Sequence, residues 1–110
     1  MERITVFTPT YNRRKSLPRV FESLKRQTFR DFIWIIVDDG STDDTKSLVV
    51  EFEKEADFKI IYIYKENAGK HSAINRALQE TTSELFLIAD SDDSFKANAL
   101  EVFINTWESI

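Results

Sequence analysis

The sequence has no cysteine, one histidine (His71), two glycines and two prolines. Without cysteine it has no disulfide scaffold, no thiolate zinc site, no iron–sulfur cluster and no thiol nucleophile. A lone histidine argues against a histidine-rich metal centre and against a Ser-His-Asp triad. So little glycine and proline leaves no flexible linker and no low-complexity stretch. No apolar run approaches the ~20 residues that cross a bilayer, so no transmembrane segment is expected. Met1-Glu2-Arg3 opens no secretory hydrophobic region. The expected location is therefore the cytoplasm, with peripheral contact to the inner face of a membrane left to a longer protein. A basic excess is lacking too: the net charge is -4, which disfavours a nucleic-acid partner. What is present, 42% hydrophobic, 13% aromatic and 31% charged residues over 110 positions, describes one folded domain or part of one.

Four short apolar runs, at residues 4–8, 32–37, 60–64 and 85–89, alternate with four stretches of helical period. Three of the runs are nearly continuous in large apolar residues, which suits strands covered on both faces of a parallel sheet. The first helical stripe is Leu17, Val20, Phe21 and Leu24, with Ser16 as N-cap and Pro18 in the first turn. Leu48, Val49 and Phe52 form the second, opened by Ser41-Thr42-Asp43-Asp44. Ile74, Ala77 and Leu78 form the third, and Ala97, Leu100, Phe103, Ile104 and Trp107 the fourth. All four stripes are expected to pack into the core. This alternation predicts right-handed βαβ units and a doubly wound α/β sheet, whose ligands sit outside the carboxyl ends of the strands.

The first strand is followed by Pro9-Thr10-Tyr11-Asn12-Arg13-Arg14-Lys15. Three cations before a helix start oppose its dipole, by about 0.3–1 kcal/mol each when exposed. A bound anion reverses that sign; otherwise the segment is a solvated basic loop. Tyr11 either packs under the loop or stacks on a flat ring. The second strand ends in Asp38-Asp39-Gly40-Ser41, and adjacent carboxylates at the end of a buried strand need hydrogen bonds or water. One suits the backbone N–H groups of the turn and the other a ligand N–H or ribose hydroxyl, the alternative being a capped turn. After the third strand, Asn67 and Gly69 suit a tight turn and Lys70 opens the next helix, but a Walker-type phosphate loop is absent. His71, at that helix start, reads as a surface or capping residue. The fourth strand ends in Asp90-Ser91-Asp92-Asp93, a self-repelling cluster relieved by a hard divalent cation such as Mg2+ or Mn2+. Asp93 instead suits the cap of the next helix, which leaves Asp90 and Asp92 for the metal. Base, ribose, diphosphate and cation each find a partner, so a nucleoside-diphosphate site is the best chemical reading.

Four segments carry a resemblance: Thr8-Pro9-Thr10-Tyr11-Asn12-Arg13, Val37-Asp38-Asp39-Gly40-Ser41-Thr42-Asp43, Glu66-Asn67-Ala68-Gly69 and Asp90-Ser91-Asp92-Asp93. In this order, over essentially the whole chain, they resemble the family 2 glycosyltransferases of the GT-A fold. Each motif is weak alone; the set is specific. The resemblance implies a Rossmann-like parallel sheet of strand order 3-2-1-4. It also implies inverting transfer of a sugar from a nucleotide donor, often UDP-linked, to a hydroxyl of a saccharide or lipid-linked acceptor in polysaccharide or glycoconjugate synthesis. Under it Pro9 and Tyr11 line the base, with Thr10 and Arg13 in the same donor-binding motif, and Asp39, beside Asp38, accepts from the base edge. Asp90-Ser91-Asp92 match the family's Asp-x-Asp motif: Asp90 lies near ribose or sugar, and Asp92 with Asp90 holds the Mn2+ or Mg2+ that bridges the diphosphate. Asn67, Gly69 and Lys70 lie along the donor cleft.

Family members run well beyond this length, and their later half supplies the acceptor site and the general base. Residues 1–110 are thus expected to be the nucleotide-diphospho-sugar-binding domain of a longer transferase, inactive alone and without a general base of its own. The fourth strand and the last helix, with Trp107 and Ile110, are expected to leave an apolar edge through which the chain self-associates. Competing readings fit less well. A phosphoacceptor signalling domain calls for an acid pair after the first strand, where Tyr11-Asn12 stand. A nucleotidyltransferase calls for a glycine-rich loop there, and residues 9–14 contain no glycine. A non-catalytic nucleotide-binding module stays open.

Overall fold

The four apolar runs form four parallel strands in a computed structural model that describes residues 2–66, 70–81, 83–90 and 94–109. In chain order the elements are β1 (Ile4–Thr10), α1 (Leu17–Lys25), β2 (Phe32–Asp38), α2 (Thr45–Glu55), β3 (Lys59–Tyr64), α3 (Lys70–Leu78), β4 (Leu85–Ile88) and α4 (Ala99–Glu108). The strand order is β3-β2-β1-β4, as the resemblance implies. β1 and β2 run in register from Ile4 opposite Phe32 to Thr10 opposite Asp38, and β3 and β4 flank them, also parallel.

Strand alternation sorts the core into two layers. Ile4 and Val6 of β1 and Phe32, Trp34 and Ile36 of β2 face α1, α2 and α4. Phe7, Ile33, Ile35 and Val37 face Ala73 and Ala77 of α3, whose small side chains let that helix sit close to the sheet. Trp34 anchors the first layer, its ring 6.2 and 5.9 Å from those of Phe21 and Phe52, which stack on each other at 4.2 Å. Its one polar atom is satisfied, because Nε1 donates to Thr8 Oγ1 at 2.8 Å. Leu17, Val20, Phe21 and Leu24 are all buried, as their spacing predicts. Ser16 stands at the N-cap of α1, but its side chain makes no capping bond.

Gln27 links α1 to α4. The buried amide donates from Nε2 to Ser23 O at 3.0 Å and to Lys96 O at 2.7 Å, while Oε1 accepts from Leu100 N at 3.0 Å. Asn98 at the N-cap of α4 makes no side-chain capping bond, and a side chain distant in sequence caps that helix instead.

The structure corrects the sequence reading at several places. β1 runs on through Pro9 and Thr10 and β2 through Asp38, because the ladder continues past the apolar run. Leu78 is 49% exposed, and Ala73 takes its place in the core. The last helix starts at Ala99, leaving Ala97 outside it. In α4 only Leu100 and Ile104 are buried; Phe103 is 43% and Trp107 46% exposed. Those two rings lie one step around the helix from the buried line. With Leu85, Leu87, Val102 and Thr106 they line an open hollow of about 350 Å³ beside β4.

Candidate functional site

The carboxyl ends of the strands continue their pairing one residue past the sheet. Asp39 N donates to Thr10 O at 2.9 Å, and Lys65 N donates to Asp38 O at 2.9 Å. Tyr11, Asp39 and Lys65 therefore follow β1, β2 and β3 at one edge. On the other side of β1, Ala89 N donates to Phe7 O at 2.8 Å, so Asp90 follows β4 at the same edge.

The acid pair divides its labour. Asp38 is buried: Oδ1 accepts from Ser41 N at 2.8 Å, and Oδ2 accepts from the Tyr62 hydroxyl. It thus serves the turn, which passes through a left-handed φ of 93° that Gly40 adopts without steric cost. Burial, and then the carboxylate of Asp38, push the Tyr62 phenol well above the usual tyrosine range. Asp39 points to different company. Its Oδ1 accepts from Lys65 Nζ at 2.8 Å, and the same ammonium donates to Glu66 O at 3.0 Å.

The loop after β1 is tied to the loop after β2 by Asn12, which holds a left-handed φ of 51°. Its backbone N donates to Ser41 Oγ at 2.8 Å, and its Oδ1 accepts from Thr42 N at 2.8 Å and Asp43 N at 3.2 Å. Asparagine tolerates this conformation better than other side chains do. Tyr11, next to this strut, is 45% exposed. Its neighbour Thr10 is buried, and Thr10 Oγ1 has no hydrogen-bond partner among the described residues. Of the three cations, Arg14 turns to α2: its backbone N donates to Asp43 Oδ2 at 3.2 Å and its Nε to Asp44 O at 3.1 Å. Asn12, Arg13, Arg14, Lys15, Ser16 and Asp43 line a hollow of about 410 Å³ in front of α1. A second hollow of about 310 Å³ lies between α2 and β3, lined by Lys46, Tyr62 and Tyr64 with Asp38, Ser41 and Asp43.

Pro9, Thr10, Tyr11, Arg13, Asp38, Asp39 and Asp90 thus gather at or beside one sheet edge. Lys70 opens α3. Asn67, Gly69, Ser91 and Asp92 lie outside the described residues, as does Asp93. Asp90 is exposed and stands two residues past β4, and its side chain offers only carboxylate oxygens, the donor type that a hard divalent cation takes. Among the described residues no group of three acids or histidines gathers. Sequence reasoning placed Ser41 only in the run that opens the second helix, and assigned no site role to Lys65, Tyr62 or the side chain of Asn12. The one available signal was positional, since Lys65 stands as far past β3 as Asp39 does past β2.

The sequence model of "Glycosyl transferase family 2" matches residues 5–110. The chain is 34% identical over 110 residues to the teichoic acid poly(glycerol phosphate) polymerase of Staphylococcus epidermidis, covering 99% of this chain and 15% of that protein. It is 33% identical over 106 residues to the GalNAc(5)-diNAcBac-PP-undecaprenol beta-1,3-glucosyltransferase of Campylobacter jejuni, covering 94% and 34%. Among solved structures, S. aureus TarS 1-349 in complex with UDP superposes with a TM-score of 0.85 at 29% identity, covering 99% of this chain and 32% of that one. The mannosyltransferase PcManGT from Pyrobaculum calidifontis, in complex with GDP-Man and Mn2+, gives a TM-score of 0.89 at 27% identity, covering 99% and 33%. The chain spans only 15% and 34% of the two curated relatives' lengths.

Proposed function

Since the chain belongs to glycosyl transferase family 2, we propose that residues 1–110 form the donor-binding domain of a transferase that uses a nucleotide sugar, with UDP as its nucleotide. Tyr11 stacks on the base beside Pro9, and Asp39 accepts from the base N–H. Thr10 and Arg13 belong to the same loop, and Asp38 shapes the turn that carries Asp39. Asn67, Gly69, Lys70 and Ser91 line the donor cleft. Asp90 and Asp92 hold Mn2+ or Mg2+, whose contribution when bound is Lewis-acid stabilisation of the departing diphosphate.

The reaction is transfer with inversion to a hydroxyl of a saccharide or lipid-linked acceptor. The acceptor oxygen forms its bond to the anomeric carbon as the bond from that carbon to the diphosphate oxygen breaks. The acceptor proton passes to a base that we assign to no residue of this chain. One observation carries the reading: the pairing of Asp39 N with Thr10 O and Lys65 N with Asp38 O lines up three strand ends at a single edge. The UDP and GDP-Man complexes of the structural neighbours support it.

Titration calorimetry with UDP and Mn2+ tests it, on the wild type, Asp92→Ala and Asp39→Asn. Each substitution is expected to weaken binding at least about tenfold, or about 1.4 kcal/mol. Equal affinities for all three proteins would refute the donor site. A sugar-transfer assay on the same chain is expected to show negligible turnover, and robust turnover would place the general base inside it.

A further inference from the structure

Gln27 does more than close the start of α4. It lies between α1 and β2, only 3% exposed, and its amide reaches the stretch that leads from β4 into α4. Nε2 donates to Lys96 O at 2.7 Å and Oε1 accepts from Leu100 N at 3.0 Å. Thr28 grips the same stretch, its N donating to Ala97 O at 2.8 Å and its hydroxyl to Glu101 Oε2 at 2.6 Å. Two adjacent residues thus hold a segment that lies 69 to 73 positions away in sequence.

A helix start needs no such arrangement. Asn98 is of a type that caps locally, and a local cap would satisfy Leu100 N at the surface without burying an amide. The distant amide does something a local cap does not: it fixes where α4 begins relative to α1 and the sheet. That placement bears on what precedes α4. The chain leaves the sheet at the buried Ala89, whose N donates to Phe7 O at 2.8 Å, and Asp90 comes next. It is held again at Phe95, packed against the first core layer, and at Lys96 and Ala97. Only six positions separate Asp90 from Lys96. A cation takes its oxygen ligands at fixed distances, and groups behind the ligands set their aim.

Building on the donor-site reading above, we propose that Gln27 is a positioning residue for the cation. Through Lys96 O and Leu100 N it holds the far end of the segment that Asp90 opens, and so sets where that segment's carboxylates meet the metal. It acts through the backbone and touches neither nucleotide nor cation. Its loss therefore falls on the metal-dependent part of binding and spares the contacts of Tyr11 and Asp39.

The test is calorimetric binding of UDP, once with Mn2+ and once with EDTA, at a temperature where each protein is fully folded. The proteins are the wild type, Gln27→Met, Asn98→Asp and the double variant. The ratio of the two affinities is the gain from the cation. The wild type is expected to show a gain of at least about tenfold, and Gln27→Met to lose most of it with its metal-free affinity unchanged. Asn98→Asp supplies a local acidic cap, and alone it is expected to keep the full gain. Added to Gln27→Met it is expected to restore much of the melting temperature and none of the gain, which covers the case of a single variant that does not fold. A glutamine that only caps α4 would leave the gain intact in Gln27→Met, or return it with the stability in the double variant. Either result overturns this inference alone, as does an equal loss of affinity with and without Mn2+. A wild type whose affinity Mn2+ does not raise overturns the cation site beneath it, and one that binds no UDP overturns the donor-site reading altogether.

Discussion

Asn12 is the strut between the loop that carries Tyr11 and the loop that carries Asp39, and its replacement gives a graded test. Asn12→Ala removes the acceptor for Thr42 N and Asp43 N. Each such bond is worth about 0.5–1.5 kcal/mol net. Asn12 is exposed, so water recovers part of this, leaving a loss of about 1–2 kcal/mol. Alanine must also hold the φ of 51°, which costs about 1 kcal/mol more. Asn12→Gly loses the same bonds but adopts that φ freely, partly offset by the larger entropy of glycine in the unfolded chain. Urea unfolding should therefore rank wild type above Asn12→Gly above Asn12→Ala, with losses of about 1–2 and about 2–3 kcal/mol. Both variants should bind UDP more weakly than the wild type under conditions where each is fully folded, because Tyr11 loses its anchor. Equal stability of the alanine and glycine variants, or wild-type stability in both, would refute the strut.

Two further outcomes concern buried polar groups. Gln27→Met keeps the side chain's length but leaves Leu100 N without its partner and Lys96 O with Ala99 N alone, so the protein should lose about 1–3 kcal/mol and melt several degrees lower. An unchanged melting temperature would show that α4 is capped some other way. The Tyr62 phenol is pushed up by burial and by Asp38, so its folded pKa lies above its unfolded value of about 10. A group shifted in this direction stabilises the fold fully below the unfolded pKa and loses that contribution as pH rises beyond it. Ultraviolet titration of native protein should therefore show the same phenolate amplitude for wild type and Tyr62→Phe before alkaline unfolding. A smaller native amplitude in Tyr62→Phe would contradict the buried hydrogen bond to Asp38.

The sheet was legible because β2 is covered on both faces: seven successive buried residues, Phe32 to Asp38, leave no helical period to confuse them. The stripe of α1 was legible for the converse reason, since Leu17, Val20, Phe21 and Leu24 repeat on one face and all find a sheet beneath them. The same logic misplaced Phe103 and Trp107. Periodicity states which side chains share a helix face, not what lies across from them, and at β4 no described element covers those rings. The acid pair was legible as far as one carboxylate serving the turn; that the other pairs with Lys65 was not. Which was which depended on Tyr62, whose hydroxyl reaches Asp38 from the next strand. Gln27 left no trace and Lys65 only its place after β3, because a polar residue has no periodic signature and acquires its partner only through register. Gln27 caps a helix that begins 72 positions later, a contact no local pattern encodes.

The central claim is that the carboxyl edge of the sheet holds the nucleotide and its cation. Paramagnetic relaxation in a two-dimensional NMR spectrum of the 15N-labelled chain, with UDP and substoichiometric Mn2+, tests it most directly. The account predicts UDP-dependent broadening centred on Asp90, Tyr11, Asp39 and Lys65, while Arg3, Phe32 and Leu85 at the opposite ends of the strands stay sharp. Broadening centred on that opposite end or on the Phe103–Trp107 hollow, or none that depends on UDP, would contradict it.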